Sequence, residues 1–328
     1  MAVKGLTALT LADWGKRVDG NGKIDKIIEL LGQTNPILDD MLFVEGNLPT
    51  GHRTTVRSGL PTATWRLLNY GVQPSKSTTV QITDSIGMLE SYSEVDKSLA
   101  DLNGNTSDFR LSEDRAFLEA MNQQMAQTLF YGDSSVNPQQ FMGLSSRYSS
   151  KAAGNGQNII DAGGTGTDNT SIWLVVWGEN TAHGIFPKGQ KAGIQHQDLG
   201  EQTLQDANGG KYQGYRSHYK WDNGFTLRDW RYVVRIANID VSDLSVAGSA
   251  ANIVTQMVKA LHRIPNRGMG KPVFYMNRTV GQALDLQSLD KNSLALSVQE
   301  TEGEWWTAFR KIPIRETDAI LETEARVV

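Results

Sequence analysis

Residues 110–144, RLSEDRAFLEAMNQQMAQTLFYGDSSVNPQQFMGL, hold the longest helical pattern in the chain and its clearest stop. Leu118, Met121, Met125 and Leu129 recur at helical spacing, with Phe117 and Ala120 beside them. Such a pattern gives the helix an apolar face that needs a surface to lie on. Ser112 is the expected N-cap, and Glu113 and Asp114 fall in the first turn, where the helix dipole favours acids. Tyr131-Gly132-Asp133 stops the helix, and SSVNPQQFMGL leads away as a turn-rich exit. The longest helix is therefore expected within residues 93–131. Its methionines read as core filler and not as ligands.

Upstream the character changes. Residues 49–92 are rich in Thr, Val, Ser and Gly, and HRTTVRSGLPTATWRLLNYG and KSTTVQITDSIGMLESY both favour extended structure. Gly71 and Pro74-Ser75 offer the turn between them. From Gly46 to Thr83 there are four bases, Arg53, Arg57, Arg66 and Lys76, and no acid. A two-stranded excursion of roughly 35 residues is marginal alone in water. It is either a solvated hairpin at the edge of a larger sheet or an arm that reaches a neighbouring subunit. Residues 1–48 precede it. There Ile24, Ile27, Ile28 and Leu31 form one helical stripe, Asn35-Pro36 ends it, and apolar clusters follow at Ile37–Leu38 and Met41–Val44. A single amphipathic helix cannot bury its own face, so this segment reads as an arm lying along something else.

Downstream, residues 145–170 are low in complexity and read as a flexible loop. SIWLVVWGENTAHGIFPKG reads as two strands about a Gly178–Asn180 turn. KYQGYRSHYKWDNGFTLRDWRYVVRIANI reads as a hairpin turning at Asp222-Asn223-Gly224. In the last 90 residues Ile253, Met257, Leu261 and Ile264 mark a helix, PVFYMN a strand and TVGQALDLQSL a helix. LALSV, FRKIPIRETDAIL and the terminal VV look strand-like. This alternation suggests a compact α+β subdomain of its own.

Composition excludes several chemistries. With no cysteine there is no disulfide, thiolate nucleophile or cysteine-ligated metal. A net charge of -4 is too acidic for a protein whose main work is gripping phosphates. No stretch approaches the ~18 apolar residues of a membrane span, and no membrane partner is expected. The five histidines are scattered without an HExxH, and no GxSxG elbow occurs. Gly268-Met269-Gly270-Lys271 lacks the spacing of a phosphate loop. Asp19-Gly-Asn21-Gly-Lys23 starts like a calcium loop, but Lys23 and Leu30 stand where oxygen ligands are required. No catalytic residue, metal or cofactor is expected. Of eight tryptophans, Trp14 and Trp65 fall in the arm and the basic excursion, where an aromatic side chain more often means an interface.

The order of these parts resembles the major capsid proteins of tailed double-stranded DNA bacteriophages, the Hong Kong 97-type fold, with those of short-tailed phages nearest. The residues carrying the likeness are VQITDSIGMLESYSEVDKSLADL (80–102) entering the 110–144 stretch, followed by PVFYMNRTVGQALDLQSL (272–289) and KIPIRETDAIL (311–321). The resemblance implies an α+β, Hong Kong 97-like fold: an N-terminal arm at 1–48, an E-loop at 49–90, a peripheral P-domain at 91–240 containing the spine helix at 108–131, and an axial A-domain at 241–328. One feature departs from the family. The strands ending RDWRYVVRIANID look like P-domain strands, which commonly come near the C-terminus, yet here they precede A-domain-like helices. Either that assignment does not hold or the elements are joined in an altered order.

The implied function is self-assembly into the hexamers and pentamers of an icosahedral head enclosing DNA. The implied partners are many copies of the chain, a portal, a separate scaffolding protein, a cement or decoration protein, and packaged DNA held weakly on the inner face. The chain would be made in the host bacterial cytoplasm and reside in the virion. The inter-subunit contact candidates are Arg53, Arg57, Arg66 and Lys76 against a neighbour's acidic surface, with Trp65 and Trp14 as apolar anchors. Covalent cross-linking through Lys76 is not expected, because no acid in Gly46–Thr83 could serve it. Two other classes compete: a carbohydrate-active hydrolase of a β-rich fold using carboxylates such as Asp222, Asp229 or Glu179, and a tail or decoration structural protein.

Overall fold

The computed structural model describes residues 9–17, 32–206, 208–245, 252–290, 296–301 and 304–328. The helical stripe expected at Ile24–Leu31 lies outside the described residues. The helices are α1 (Leu11–Gly15), α2 (Ile37–Asp40), α3 (Lys97–Ala100), α4 (Thr106–Tyr131), α5 (Leu144–Arg147), α6 (Ile253–Arg263) and α7 (Arg278–Asp290). The first nine strands are β1 (Phe43–Glu45), β2 (Gly51–Gly59), β3 (Thr78–Asp96), β4 (Ile159–Asp161), β5 (Asn169–Trp177), β6 (Ala182–Phe186), β7 (Gln195–Gln205), β8 (Lys211–Leu227) and β9 (Val233–Asp240). The last four are β10 (Lys271–Met276), β11 (Leu296–Thr301), β12 (Glu304–Phe309) and β13 (Ile312–Glu316). They join one mixed sheet in the order β11-β12-β13-β10-β5-β6-β8-β3-β2, with β1 on β6, β7 on β8, and β9 between β4 and β5.

Helix α4 begins before Ser112, so that residue is not its cap. Asn105 occupies the cap position, and the Ser112 hydroxyl instead donates to the Phe109 carbonyl within the helix at 2.8 Å. Phe109, buried one turn into the helix, supplies the pull that extends it: it packs with Val95, Leu99 and Ala100 in a small core of its own. Met121, Met125, Ala126, Leu129 and Phe130 are buried against the sheet. At the far end, Gly132 has an ordinary negative φ, so its use is close approach and not a left-handed turn. A Cβ there would lie 2.4 Å from the Phe141 carbonyl oxygen and 2.6 Å from that of Thr128.

Four further expectations are corrected. Residues 145–170 are not a flexible loop: they carry α5 and β4, and Tyr148, Ile159 and Ile160 are buried in the two main cores. The polar composition of this stretch hid two apolar anchors, Tyr148 and the Ile159-Ile160 pair. The Asp222-Asn223-Gly224 turn does not form, because β8 runs straight through it. All three residues are buried and paired with Met88, Gly87 and Ile86 of β3. The chain turns instead at Arg228–Tyr232, so the segment ending RDWRYVVRIANID is not a hairpin. Its last strand, β9, lies against β5 in the sheet interior, buried on both faces. The terminal Val327-Val328 forms no strand; it is pinned by Asn238 and Lys151. Finally, the C-terminal elements are not a subdomain with a core of their own. Strand β10 pairs with β5, and α6 and α7 share one apolar core with Ile172, Leu174, Val234 and Ile236.

Candidate assembly surface

The β2–β3 hairpin projects from this body. Its root is tight: Gly51 pairs with Ser85 and lets the backbone of β2 approach Asp84 so closely that a Cβ would meet the Asp84 oxygen at 2.3 Å. The ladder then runs outward through Arg53↔Thr83, Thr55↔Gln81 and Arg57↔Thr79, with a register shift between Arg57 and Gly59. Because directly opposed residues share a face, Arg53 and Arg57 lie on one side of the ribbon with Thr83, Gln81 and Thr79. Thr54, Val56, Val80 and Ile82 lie on the other. The ribbon is thus basic on one face and apolar on the other.

The turn does not fall at Gly71 and Pro74-Ser75. It falls at Leu67–Tyr70, where the Tyr70 N–H bonds the Leu67 carbonyl and Asn69 takes a φ of 68°. Asparagine tolerates that left-handed conformation nearly as readily as glycine does. No strand forms between Gly59 and Thr78, so TATWRLLNYG is not extended sheet. Every residue from Leu60 to Thr83 is exposed. Trp65 is fully exposed, and Leu60, Leu67, Leu68 and Tyr70 are 70% exposed or more. Sequence reading picked out Trp65 and passed over these four. Their signal was available, an apolar cluster inside an acid-free run, but β-propensity made them look like strand residues.

Arg53, Arg57, Arg66 and Lys76 are exposed on this hairpin. Arg53 is held at the root by a reciprocal backbone bond with the Asn47 amide at 2.7 Å, while its Nε reaches Thr83 Oγ1 at 3.4 Å. Among the described residues none of the four makes an ion pair, although fifteen ion pairs occur elsewhere. Trp14 is not brought to this site. It lies half-buried against the small core of Val95, Leu99, Ala100 and Phe109 in its own chain, beside an Arg17–Glu113 pair of 2.6 Å.

The rival carboxylates are scattered, and two of the three are engaged. Asp222 pairs with Lys220 at 3.1 Å and Asp229 with Arg231 at 2.7 Å, while Glu179 stands exposed in the β5–β6 turn. No group of three metal-ligating side chains occurs among the described residues, and no described helix is long and apolar enough to cross a membrane.

The family model for major capsid protein GP7 matches residues 19–328. The chain is similar to one in the structure of bacteriophage Epsilon15, at 36% identity over 100% of this chain and 99% of that one, with a TM-score of 0.77. Fainter likenesses reach the capsid of a native GTA particle (11% identity, 71% and 99% covered, TM-score 0.47) and an encapsulin of Synechococcus elongatus PCC 7942 (8% identity, 70% and 96% covered, TM-score 0.45). No curated protein matches. The α+β fold is the Hong Kong 97-like capsid fold, and nothing supports the hydrolase or the tail and decoration alternatives. The chain belongs to the major capsid protein GP7 family, whose members build the icosahedral phage head from many copies of themselves.

Proposed function

We propose that the β2–β3 hairpin is the arm by which each copy holds its neighbour, acting as the E-loop of this capsid protein. The observation that carries this reading is the unbroken exposure of residues 60–83, including a bare Trp65. Strand β2 has 9 residues, so at about 3.3 Å per residue the ribbon carries its tip on the order of 30 Å outward. A ribbon of that length with an apolar face is not stable by itself in water and gains a partner only from another chain. Burying the tip and the Val56–Val80–Ile82 face on a neighbour would supply the hydrophobic contact. The unpaired Arg57, Arg66 and Lys76 would meet its acids and set the orientation. Each contact can be weak, because a closed shell makes many at once.

The same reading names residues 1–48 the N-terminal arm, 91–240 the peripheral domain and 241–328 the axial domain, the last sharing its core with strands β5 and β9. Hexamers and pentamers would then form around the axial parts. A portal, a separately encoded scaffold, a decoration protein and weakly held DNA on the inner face complete the set of partners. Synthesis is assigned to the host cytoplasm, and no catalytic role is assigned to the chain.

The test replaces Trp65 by Ala together with Arg57→Glu and Arg66→Glu. The variant should unfold in urea within about 0.5 kcal/mol of wild type, since all three sites are exposed, yet yield no shells by electron microscopy under conditions in which wild type assembles. Normal shells from that variant would overturn the assignment.

A further inference from the structure

Four strands bring an unusual group of polar side chains together where the hairpin leaves the body. His52 of β2 stands opposite Asp84 of β3, and His183 of β6 stands opposite Thr226 of β8. The two imidazoles meet edge to face with their centroids 5.8 Å apart. Arg228, just past the end of β8, places Nη2 3.0 Å from His52 Nε2. A guanidinium only donates, so His52 Nε2 must accept, which makes His52 the neutral tautomer with its proton on Nδ1.

These groups have almost no water and few partners. His183 and Thr226 are 0% exposed, His52 5% and Asp84 6%. His52 Nδ1, the Thr226 hydroxyl and Arg228 Nε find no hydrogen-bond partner, and the His183 ring has at most one long contact with the Gly178 backbone. The charged groups facing the pair from every side are Arg228, Asp84 and Arg147. The Asp84 carboxylate is already taken by Arg147 at 2.7 Å, and Arg147 also bonds the Phe225 carbonyl at 3.2 Å. Asp229, next along the chain, is taken by Arg231. A proton on either histidine would therefore set a second positive charge beside Arg228, opposed only by the Asp84 carboxylate that Arg147 already holds.

We propose that this buried His52–His183–Arg228 cluster is an acid-released hinge: protonation of the histidines unseats the root of the β2–β3 hairpin and frees the arm from the body. Burial, with Arg228 and His52 adding their repulsion, holds the His183 imidazole down at about 4, and burial and Arg228 also lower His52. The sign follows from linkage. Between the ordinary histidine value of 6.5 and about 4 the opened root binds a proton that the closed root does not. The closed root therefore loses stability as pH falls through that window. One such histidine makes opening roughly tenfold easier per pH unit. The inference concerns the hinge within one chain and stands whether or not the hairpin grips a neighbour.

The experiment is hydrogen exchange on the purified full-length chain between pH 6.5 and 4.5, corrected for intrinsic exchange. Peptides from β2 and from the outer half of β3 are compared with peptides from β5 and β10. In wild type the hairpin-root amides should lose roughly tenfold protection per pH unit while β5 and β10 hold theirs. His52→Gln keeps an acceptor for Arg228 but cannot take the charge, and His183→Phe keeps the ring without titrating. Either substitution should flatten the profile, and the double variant should abolish it. If His183→Phe fails to fold, His52→Gln alone decides. A flat wild-type profile, or one that keeps its slope in the variants, overturns the proposal.

Discussion

Glu324 is four residues from the C-terminus yet buried, and removing its carboxylate should be among the most costly single changes in the chain. Its side chain and that of Arg235 are 4% and 3% exposed, and they meet at 2.7 Å. Glu324 also accepts from the Tyr131 hydroxyl at 2.5 Å and from the Ser171 hydroxyl. Burial and the neighbouring carboxylate push the Tyr131 phenol well above its ordinary value, so it stays a donor across the working pH range. Arg235 spends its other donors on Ser171 Oγ at 3.0 Å and the Tyr148 carbonyl at 2.8 Å, and lies over the Trp173 ring. This one pair therefore ties α4, β5, β9 and the C-terminal segment together.

Glu324→Leu would leave the Arg235 charge buried without a counter-charge and strand the Tyr131 donor. A buried pair broken on one side costs about 3–5 kcal/mol. Replacing both partners, as Arg235→Met with Glu324→Leu, removes the stranded charge and should recover a large part of that loss. Urea unfolding of the full-length chain, followed by tryptophan fluorescence, reads both. A single-variant loss under about 1 kcal/mol, or a double variant as costly as the sum of the singles, would refute the reasoning. In the first case the segment would not depend on the pair; in the second the residues would act separately.

Two smaller predictions concern the hairpin root and the 145–170 segment. Gly51→Ala puts a methyl 2.3 Å from the Asp84 oxygen, where only backbone movement can relieve it. A loss of about 1–3 kcal/mol is expected, and an unchanged urea midpoint would mean the root can spread freely. Burial raises the Asp161 carboxyl, but bonds from Lys151 at 2.5 Å, Asn238 at 3.0 Å and the Gly163 N–H at 2.9 Å outweigh it and hold the group below the ordinary carboxylate range. A depressed carboxylate stabilises above its unfolded value and loses that contribution as pH falls through the folded one. Wild type should therefore exceed Asp161→Asn by about 1 kcal/mol at neutral pH, and the gap should close below about pH 4 when melting is followed across pH. A gap that persists at pH 2 would assign the effect to shape and not charge.

What the residues announced without coordinates was local. The apolar recurrence at Met121, Met125 and Leu129, the proline-bounded helix at Ile253–Ile264 and the acid-free run from Gly46 to Thr83 depend only on spacing and composition, and these survive in any tertiary context. The contact candidates Arg53, Arg57, Trp65, Arg66 and Lys76 share one hairpin because they share one stretch of sequence.

What only the tertiary structure decided was non-local. Asp222-Asn223-Gly224 has the chemistry of a tight turn, yet pairing with β3 on one side and burial beneath α4 hold it extended, because a ladder of many bonds outweighs one turn's preference. Phe109 lengthens α4 past Ser112 by packing on residues of β3 and α3. Arg235 and Glu324 are 89 residues apart, and His52 and Arg228 are 176 apart. No periodicity links such pairs. They meet because the sheet folds the chain back on itself, and burial then gives charges that look ordinary in the sequence a large influence on stability.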